Sequence, residues 1–386
     1  MRRDNRGRHT VLRPAVLKGR RLALMCRKRA VRAPNGISFR FAIITMPAMA
    51  RASRWTAVRP SRQPIAVRLV DIKSIPKKGK IMSGVIKSFS FPDGKIRGDT
   101  FYIKHLSNNF TVIDCYLKDG DDRSCRRAEI LSEIGSASQG REIRFVSTHP
   151  DKDHILGIDK LYEYWGEQRF YAVENETPAE EGNESLAKYL SLKDNQDGPI
   201  REGFSENGMT HGNNCCGLWF LWPKTDNEKF KQALKAVKDG DSPNNISFVM
   251  QYSVKDGAKY LWMGDMETDM QEEFHRECKD QIKSVDVLFH PHHGRKSSAP
   301  PEALLKLLDP QIIVIGNAPC DDINYDNPEK TITQNTAGDI VFVNAEGELV
   351  HVFTENDLSN PPTVLQKINP QPSVSGLRYQ GSFRPR

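Results

Sequence analysis

The sequence has no cysteine framework. Its seven cysteines are an odd number, and no two of them form a C-x-x-C pair. This excludes a disulfide-stapled domain and a zinc ribbon, because both need cysteines at paired spacings. A reducing compartment, the cytoplasm, is therefore expected. The cysteines are Cys26, Cys115, Cys125, Cys215, Cys216, Cys278 and Cys320.

The sequence also lacks an apolar run long enough to cross a bilayer. The apolar run 41–50 is interrupted by Pro47 and has about half the length of a membrane helix. A secretory signal would carry its apolar region after a short basic start, not after about forty residues. We therefore expect no membrane partner, and with 386 residues and 38% hydrophobic content the chain can bury a large core.

Negative charge is nearly absent from residues 1–81, which hold 16 Arg and 6 Lys against Asp4 and Asp71. This segment carries +20, and since the whole chain carries +7, residues 82–386 carry −13. The basic segment has neither helical nor alternating periodicity, so we expect no packed fold there. It is a disordered nucleic-acid-binding arm, an organellar targeting segment, or sequence upstream of a true start at Met82. We favour the start at Met82.

The stretch 147–154 follows the apolar run 143–146 and contains four side chains that can bind a metal. All four lie within six consecutive residues. Apolar residues then recur at helical spacing over 155–165, so the stretch is predicted to be a loop between a strand and a helix. Two imidazoles and two carboxylates suit zinc, manganese or iron. The alternative, a helix cap, explains one carboxylate and leaves the other three side chains without a role. The four residues are His149, Asp151, Asp153 and His154.

These four side chains can serve two cations. We expect His149 and Asp151 to hold one cation, because alternate residues of an extended loop point the same way. Asp153 and His154 enter the helix and can face a second. Two cations about 3.5–4 Å apart can share a metal-bound hydroxide that is nucleophilic at neutral pH.

The pattern H-x-D-x-D-H that begins at His149 resembles the signature loop of the metallo-β-lactamase superfamily, with aspartate in place of the middle histidine. That variant is typical of the hydrolase domain of the competence protein ComEC and its stand-alone soluble relatives. The resemblance covers about residues 82–353, and we place the domain at 82–354. It implies a four-layer αββα sandwich and a metal-dependent hydrolase that uses one or two Zn²⁺ or Mn²⁺ ions. Three later stretches agree in order: residues 244–249, 261–265 and 292–298.

Two further positions bear on the resemblance. In the superfamily an acidic residue after an early strand supports the metal loop, and Asp114 resembles it; the alternative is an edge-strand carboxylate in water. Trp222 and Pro223 stand where a further histidine ligand is expected. The one histidine between His154 and Asp265 is His211. Three alternatives follow: His211 takes the place, one cation keeps extra waters, or the site is mononuclear.

Asp265 and a histidine-rich turn complete the predicted site. A carboxylate after a strand can bridge two cations, and its alternative role is a helix N-cap. We prefer His292 as the ligand of the turn, with His293 acting on the leaving group and His290 packed under the sheet. The catalytic assignments are Asp153, His293 and Lys296.

Basic and hydroxyl side chains after these histidines suit a phosphate oxygen, which favours phosphodiester hydrolysis by a nuclease or phosphodiesterase. For these basic and hydroxyl side chains, the alternative is an ordinary basic surface turn. For Asn245, the alternative is a residue that only stabilises its own turn. A charge of −13 argues against a broad nucleic-acid surface, so single-stranded nucleic acid, a small ester and a nucleotide-derived substrate stay open. A catalytically weak binding or regulatory module is the rival from another class. The predicted substrate contacts are Asn245, Arg295, Lys296, Ser297 and Ser298.

Local patterns predict the remaining elements. The polar stretch 193–214 is expected to be a flap beside the site, and 320–336 a second rim. Composition predicts a disordered tail over 355–386. The rim donors are Thr333, Gln334 and Asn335; the hairpins cover 101–115 and 246–263; the helices cover 126–134, 185–192 and 228–238.

Overall fold

The computed structural model describes residues 72–73, 84–91, 97–118, 124–196, 198–204, 216–324, 327–344 and 348–386. The predicted start at Met82, His211 and nearly all of the basic segment 1–81 lie outside these residues. So does the part of the predicted flap from 205 to 215.

An eight-stranded sheet combines the first strands of the domain with its last ones. Its apolar residues alternate between two faces, so that Ile86 belongs to one core cluster and Val85 to the other, as the two-residue period of a strand requires. The first predicted hairpin forms, with Phe101 paired to Ile113. In sheet order the strands are β16 (Arg378–Phe383), β14 (Val350–Thr354), β13 (Ile340–Asn344), β2 (Gly84–Ser88), β3 (Phe101–Lys104), β4 (Phe110–Ile113), β5 (Ile143–Val146) and β6 (Arg169–Tyr171).

A six-stranded sheet faces the first. It contains the second predicted hairpin, which turns at Asp256 with a φ of 52°. Its last four strands run parallel, so their carboxyl ends share one edge. In sheet order the strands are β12 (Thr331–Thr333), β11 (Ile312–Ile315), β10 (Val287–Phe289), β9 (Lys259–Trp262), β8 (Val249–Ser253) and β7 (Leu218–Trp222).

Aromatic residues join the sheets, and helices cover their outer faces. Between the sheets the ring of Phe101 lies 6.1 Å from that of Trp262 and 5.1 Å from that of Phe289. On the outer face of the second sheet, Trp222 contacts Phe230 and Phe274 of two helices. The expected four-layer αββα sandwich is confirmed. Among the described helices, none combines the length and apolarity needed to cross a bilayer. They are α1 (Ser124–Ser138), α2 (Lys152–Ile155), α3 (Ile158–Trp165), α4 (Glu184–Lys193), α5 (Glu228–Lys238), α6 (Thr268–Cys278), α7 (Glu302–Leu308) and α8 (Gln334–Ala337).

The C-terminal tail forms strands. The expectation of disorder over 355–386 is wrong, because β16 pairs antiparallel with β14 and buries Phe383. Its polar side chains find partners on that neighbour: Gln380 Nε2 donates to Thr354 Oγ1 at 2.8 Å, and Ser382 Oγ lies 2.6 Å from His351 Nδ1. A polar composition therefore did not mean a solvated chain. The short strands β1 (Ile72–Lys73) and β15 (Ser373–Val374) also pair with each other.

Strand ends carry the predicted site residues to one edge of the sandwich. The signature loop leaves β5, and Asp265 and the histidine turn leave β9 and β10. Because β9 and β10 are parallel neighbours, their exits lie side by side, and the His292 N–H donates to the Gly264 carbonyl at 3.0 Å. The facing sheets thus bring loops more than a hundred residues apart to one place.

Candidate metal centre

Two carboxylates and two imidazoles converge at this edge. His154 Nε2 lies 3.1 Å from Asp265 Oδ1 and 3.9 Å from Asp153 Oδ1. His293 Nε2 lies 3.3 Å from Asp153 Oδ2 and 3.7 Å from Asp265 Oδ2. Ligand atoms about 2.1 Å from a tetrahedral cation are about 3.4 Å from one another. His154, Asp265 and His293 are therefore spaced as ligands of a single cation, and Asp153 lies beside them.

Several polar atoms of this cluster are buried without a hydrogen bond among the described residues. They include His154 Nε2, Asp265 Oδ1 and both ring nitrogens of His293. His154 Nε2 and Asp265 Oδ1 are close but not aligned as donor and acceptor, as expected of two ligands that aim at a third atom. Leaving such a group unsatisfied costs about 1–3 kcal/mol. The donor set fits a divalent cation of the zinc or manganese type.

His154 is oriented by a buried carboxylate behind it. Asp114 Oδ2 lies 2.8 Å from His154 Nδ1, and the same carboxylate accepts hydrogen bonds from the Thr148 N–H at 2.7 Å and Thr148 Oγ1 at 2.6 Å. Asp114 is 1% exposed, which excludes the alternative of an edge carboxylate in water. A carboxylate on one ring nitrogen directs the other nitrogen towards a metal. Asp114 thus acts on the loop as the resemblance implies.

Asp265 is placed by a tight turn after β9. Gly264 has a φ of 52°, and a Cβ there would lie 2.7 Å from Ser247 Oγ, so the turn needs glycine both for its conformation and for space. The Asp265 N–H donates to Ser247 Oγ at 3.2 Å. Glu267 takes the N-cap position of α6, so Asp265 does not cap that helix and its carboxylate faces the cluster.

The histidine turn is strained. His292 and His293 both have a φ of 51°, a conformation that non-glycine residues seldom adopt and that is often kept for function. His293 Nε2 faces the cluster. His292 Nδ1 lies 2.9 Å from Ser298 Oγ, and its Nε2 is 2.8 Å from Arg295 Nη1 and 3.5 Å from Asp265 Oδ2. The geometry thus brings His293, and not the predicted His292, into the cluster.

The predicted first cation has a less complete set of ligands. The rings of His149 and His154 lie 4.2 Å apart, which places His149 beside the cluster. Asp151 caps α2, with one carboxylate oxygen 2.7 Å from the Lys152 N–H, so the cap role falls to Asp151 and not to Asp153. Trp222, at the expected histidine position, is buried in the core. Among the described residues, one set of four ligand atoms lies within 4.8 Å of one another, and His149 stands beside it as part of a second set.

The cluster is strongly charged. Burial opposes the charge of Asp265, but His154 and His293 hold its pKa well below the ordinary value. Burial lowers the pKa of His293, and Asp99 and Asp265 outweigh it and raise that pKa to about 10. Burial, then the neighbouring His154, lowers the pKa of His149 to about 3. A divalent cation would replace the protons that the carboxylates otherwise hold on the cluster.

The predicted substrate contacts separate into two groups. Lys296 and Ser297 are exposed, and Arg295 is half-buried beside His292. Asn245 uses its amide within the protein, since Nδ2 donates to Glu267 Oε2 at 3.0 Å and Oδ1 accepts from the Glu267 N–H at 3.1 Å. The predicted rim donors likewise bind neighbouring protein groups: Thr333 to Thr336, Gln334 to Ser88, and Asn335 to Ala318 and Asn317.

Asp99 joins the cluster without having been predicted. Its oxygen belongs to a set, with His154, Asp265 and His293, whose ligand atoms all lie within 4.8 Å of one another. Asp99 Oδ1 is 3.5 Å from His293 Nδ1. The residue precedes β3 by two positions in a polar stretch without a motif. Its position just before a strand was the one signal for it.

Comparisons with known proteins give distant similarities of fold. The chain is similar to the metallo-β-lactamase fold protein YhfI from Bacillus subtilis, with 10% identity over 68% of this chain and 100% of that one, and a TM-score of 0.39. It is similar to CmlA, a diiron β-hydroxylase from Streptomyces venezuelae, with 11% identity, 64% and 48% coverage and a TM-score of 0.34. A β-lactamase from Chitinophaga pinensis shows 12% identity, 55% and 83% coverage and a TM-score of 0.30.

No family model and no curated protein sequence matches the chain. Because the TM-scores of these three structures are below 0.5, the activity has to be argued from the residues of the site. Those residues can hold a divalent cation between two imidazoles and two carboxylates, at an edge that two packed sheets create.

Proposed function

We propose that the chain is a metal-dependent hydrolase of phosphodiester bonds, a nuclease or phosphodiesterase related in its signature loop to the ComEC-type hydrolase domain. The convergence of Asp153, His154, Asp265 and His293 carries this proposal. Zinc or manganese, as one or two ions, suits this set. When bound, such a cation lowers the pKa of a coordinated water and polarises a phosphoryl oxygen.

The side chains around the cluster support an anionic substrate. Arg295 is half-buried, and its Nη1 donates to His292 Nε2, which lies 3.5 Å from Asp265 Oδ2. The Arg295 guanidinium therefore stands next to the metal cluster. A planar guanidinium suits two phosphate oxygens, and exposed Lys296 adds a second positive charge. Since His293 faces the cluster, His292 is left to hold the Arg295 guanidinium beside it, through the hydrogen bond that His292 Nε2 accepts.

The charge of the domain limits the substrate. Residues 82–386 carry −13, which disfavours a broad nucleic-acid surface and favours a single strand or a small phosphodiester that enters the site alone. A small nucleotide-derived ester is therefore the second enzymatic candidate. We also propose a cytoplasmic location, which the free thiols of Cys115, Cys216, Cys278 and Cys320 support.

A binding or regulatory module of the same fold is the candidate from another class. One observation favours it: Trp222 is buried in the core at the position where a further histidine ligand is expected. Metal analysis separates the two classes. Fewer than one tightly bound cation per chain, with no turnover in added manganese, supports the module.

The test of the enzyme uses the full-length chain with Zn²⁺ or Mn²⁺ and three substrates: single-stranded DNA, RNA and bis-p-nitrophenyl phosphate. We expect hydrolysis that a chelator abolishes. Asp265→Ala is expected to abolish turnover and leave the circular dichroism spectrum unchanged, because the carboxylate contributes to the cluster and not to a helix cap. Cleavage of the small ester alone removes the nuclease, and full activity in Asp265→Ala disproves the site.

A further inference from the structure

We propose that Asp99 is a positioning residue for His293. Its carboxylate lies behind Nδ1 of the ring, where a hydrogen bond would direct Nε2 at the cation, and Gly316 leaves free the space between the two groups. This inference rests on the proposed function in so far as it takes His293 to be a ligand.

The two nitrogens of His293 face different carboxylates. Nδ1 lies 3.5 Å from Asp99 Oδ1, whereas Nε2 lies 3.3 Å from Asp153 Oδ2 and 3.7 Å from Asp265 Oδ2. A neutral imidazole carries one proton, and the nitrogen without it is the metal ligand. A proton held on Nδ1 by Asp99 leaves the Nε2 lone pair for the cation. The 3.5 Å separation exceeds a hydrogen bond, and closing it needs a shift of about 0.5 Å.

The backbone holds Asp99 where this contact needs it. Its N–H donates to the Asp153 carbonyl at 3.0 Å, which ties it directly to the loop that supplies a cluster carboxylate. Its own carbonyl accepts from Thr100 Oγ1 at 2.8 Å, and that hydroxyl accepts from the Tyr116 N–H at 2.8 Å. Asp99 is therefore anchored on both sides, and its side chain is only 16% exposed.

The other histidine of the cluster has the same order of groups, with the hydrogen bond to its carboxylate already formed. Asp114 Oδ2 lies 2.8 Å from His154 Nδ1, and His154 Nε2 lies 3.1 Å from Asp265. Each ligand histidine thus has a carboxylate behind Nδ1 and the cluster in front of Nε2. Two histidines from different loops share this order of groups, which favours a positioning role for Asp99 over the ligand role that its place in the set of four ligand atoms allows.

Gly316 has no conformational reason to be glycine, since its φ lies outside the left-handed region. It has a steric reason. A Cβ at this position would lie 2.9 Å from His293 Nδ1 and 3.2 Å from Asp99 Oδ1, closer than real Cβ atoms approach the first. Any side chain at 316 therefore enters the space between the carboxylate and the ring.

The experiment measures Co²⁺ affinity by chelator competition and the cobalt absorption spectrum, in the full-length chain. We expect Asp99→Ala and Gly316→Ala each to weaken binding about 10–100-fold with one ion still bound and the spectrum retained. Asp99→Asn should lose less, because its amide oxygen can turn towards Nδ1, whereas at position 114 the Thr148 N–H holds the amide oxygen away from the ring. Asp159→Asn is the matched control, because Asp159 is 15% exposed and binds Ser185 Oγ, away from the cluster.

The double variant tests whether the two residues act as one device. If Gly316→Ala works by separating Asp99 from His293, it should cost little further affinity once Asp99 is alanine. If the affinity losses of the two single variants add up in the double variant, the two residues do not act on His293 through the same space. A cobalt spectrum of lower coordination in Asp99→Ala, with Asp99→Asn equally weak, overturns positioning and makes Asp99 a ligand. Unchanged affinity in Asp99→Ala overturns the inference outright.

These results are separable from the proposed function. A wild-type chain that binds Co²⁺ but hydrolyses no phosphodiester disproves the hydrolase, while the affinities of the Asp99 variants still decide the positioning role. A wild-type chain that binds no Co²⁺ disproves both.

Discussion

Replacement of Asp114 should separate folding from metal binding. This buried carboxylate accepts three hydrogen bonds, from the Thr148 N–H at 2.7 Å, Thr148 Oγ1 at 2.6 Å and His154 Nδ1 at 2.8 Å. Its φ is 55°, a region that asparagine and aspartate tolerate better than alanine. Asp114→Ala and Asp114→Asn therefore perturb the site in different ways.

The magnitudes follow from these contacts. Asp114→Ala leaves three buried donors without their acceptor, at about 1 kcal/mol or more each, and puts alanine at a positive φ, at about 1–2 kcal/mol. We expect the free energy of unfolding to fall by roughly 4–6 kcal/mol. Asp114→Asn keeps an oxygen for the Thr148 N–H and accepts the backbone conformation. The free energy of unfolding of Asp114→Asn should therefore fall by only about 1–3 kcal/mol.

The asparagine variant should nevertheless bind metal poorly. Its amide can place an N–H donor opposite His154 Nδ1, which then has to accept and to give its proton to Nε2. A proton on Nε2 removes the lone pair that a cation needs. Loss of the carboxylate behind a ligand histidine typically weakens metal binding about 10–100-fold.

Urea unfolding with a chelator present measures stability, with the buried Trp222 and Trp262 as fluorescent reporters. Chelator competition measures Co²⁺ affinity in the same preparations. We expect Asp114→Asn to stay folded and lose affinity. Wild-type affinity in this variant would refute the role of Asp114 in orienting His154. Equal stabilities of the alanine and asparagine variants would refute the count of hydrogen bonds.

Two further predictions concern stability away from the metal cluster. Burial lowers the pKa of His105 to about 3 against 6.5 when unfolded, so stability is full above pH 6.5 and falls towards pH 3 by up to about 1.4 kcal/mol per pH unit. His105→Gln should flatten this slope in urea titrations, and an unchanged slope contradicts the assignment. Lys87 Nζ lies 2.7 Å from Glu133 Oε2 and 2.9 Å from Asp339 Oδ2, all buried. Lys87→Met should cost about 3–5 kcal/mol at pH 7, and adding Glu133→Leu should recover part of it; a loss below about 1 kcal/mol contradicts the network.

The sequence by itself determined the local features of this protein. Four ligand side chains within six residues, on a loop between an apolar run and an amphipathic one, predicted where a metal would bind. The helix over 228–238 and both hairpins followed from local periodicity and turn residues. These features depend on near neighbours in the chain, and their physical causes can therefore be recognised in a short window of sequence.

Only the tertiary structure decided which atoms meet. His292 and His293 are adjacent and chemically equal in the sequence, and a turn at φ 51° decides that His293 Nε2 faces the cluster. Asp99 and Gly316 carry no local motif and lie 217 residues apart, yet Asp99 Oδ1 lies 3.5 Å from His293 Nδ1 and a Cβ at position 316 would lie 2.9 Å from the same nitrogen. The packing of two sheets sets such contacts, because it depends on every residue of both inner faces and not on the few that surround each site residue.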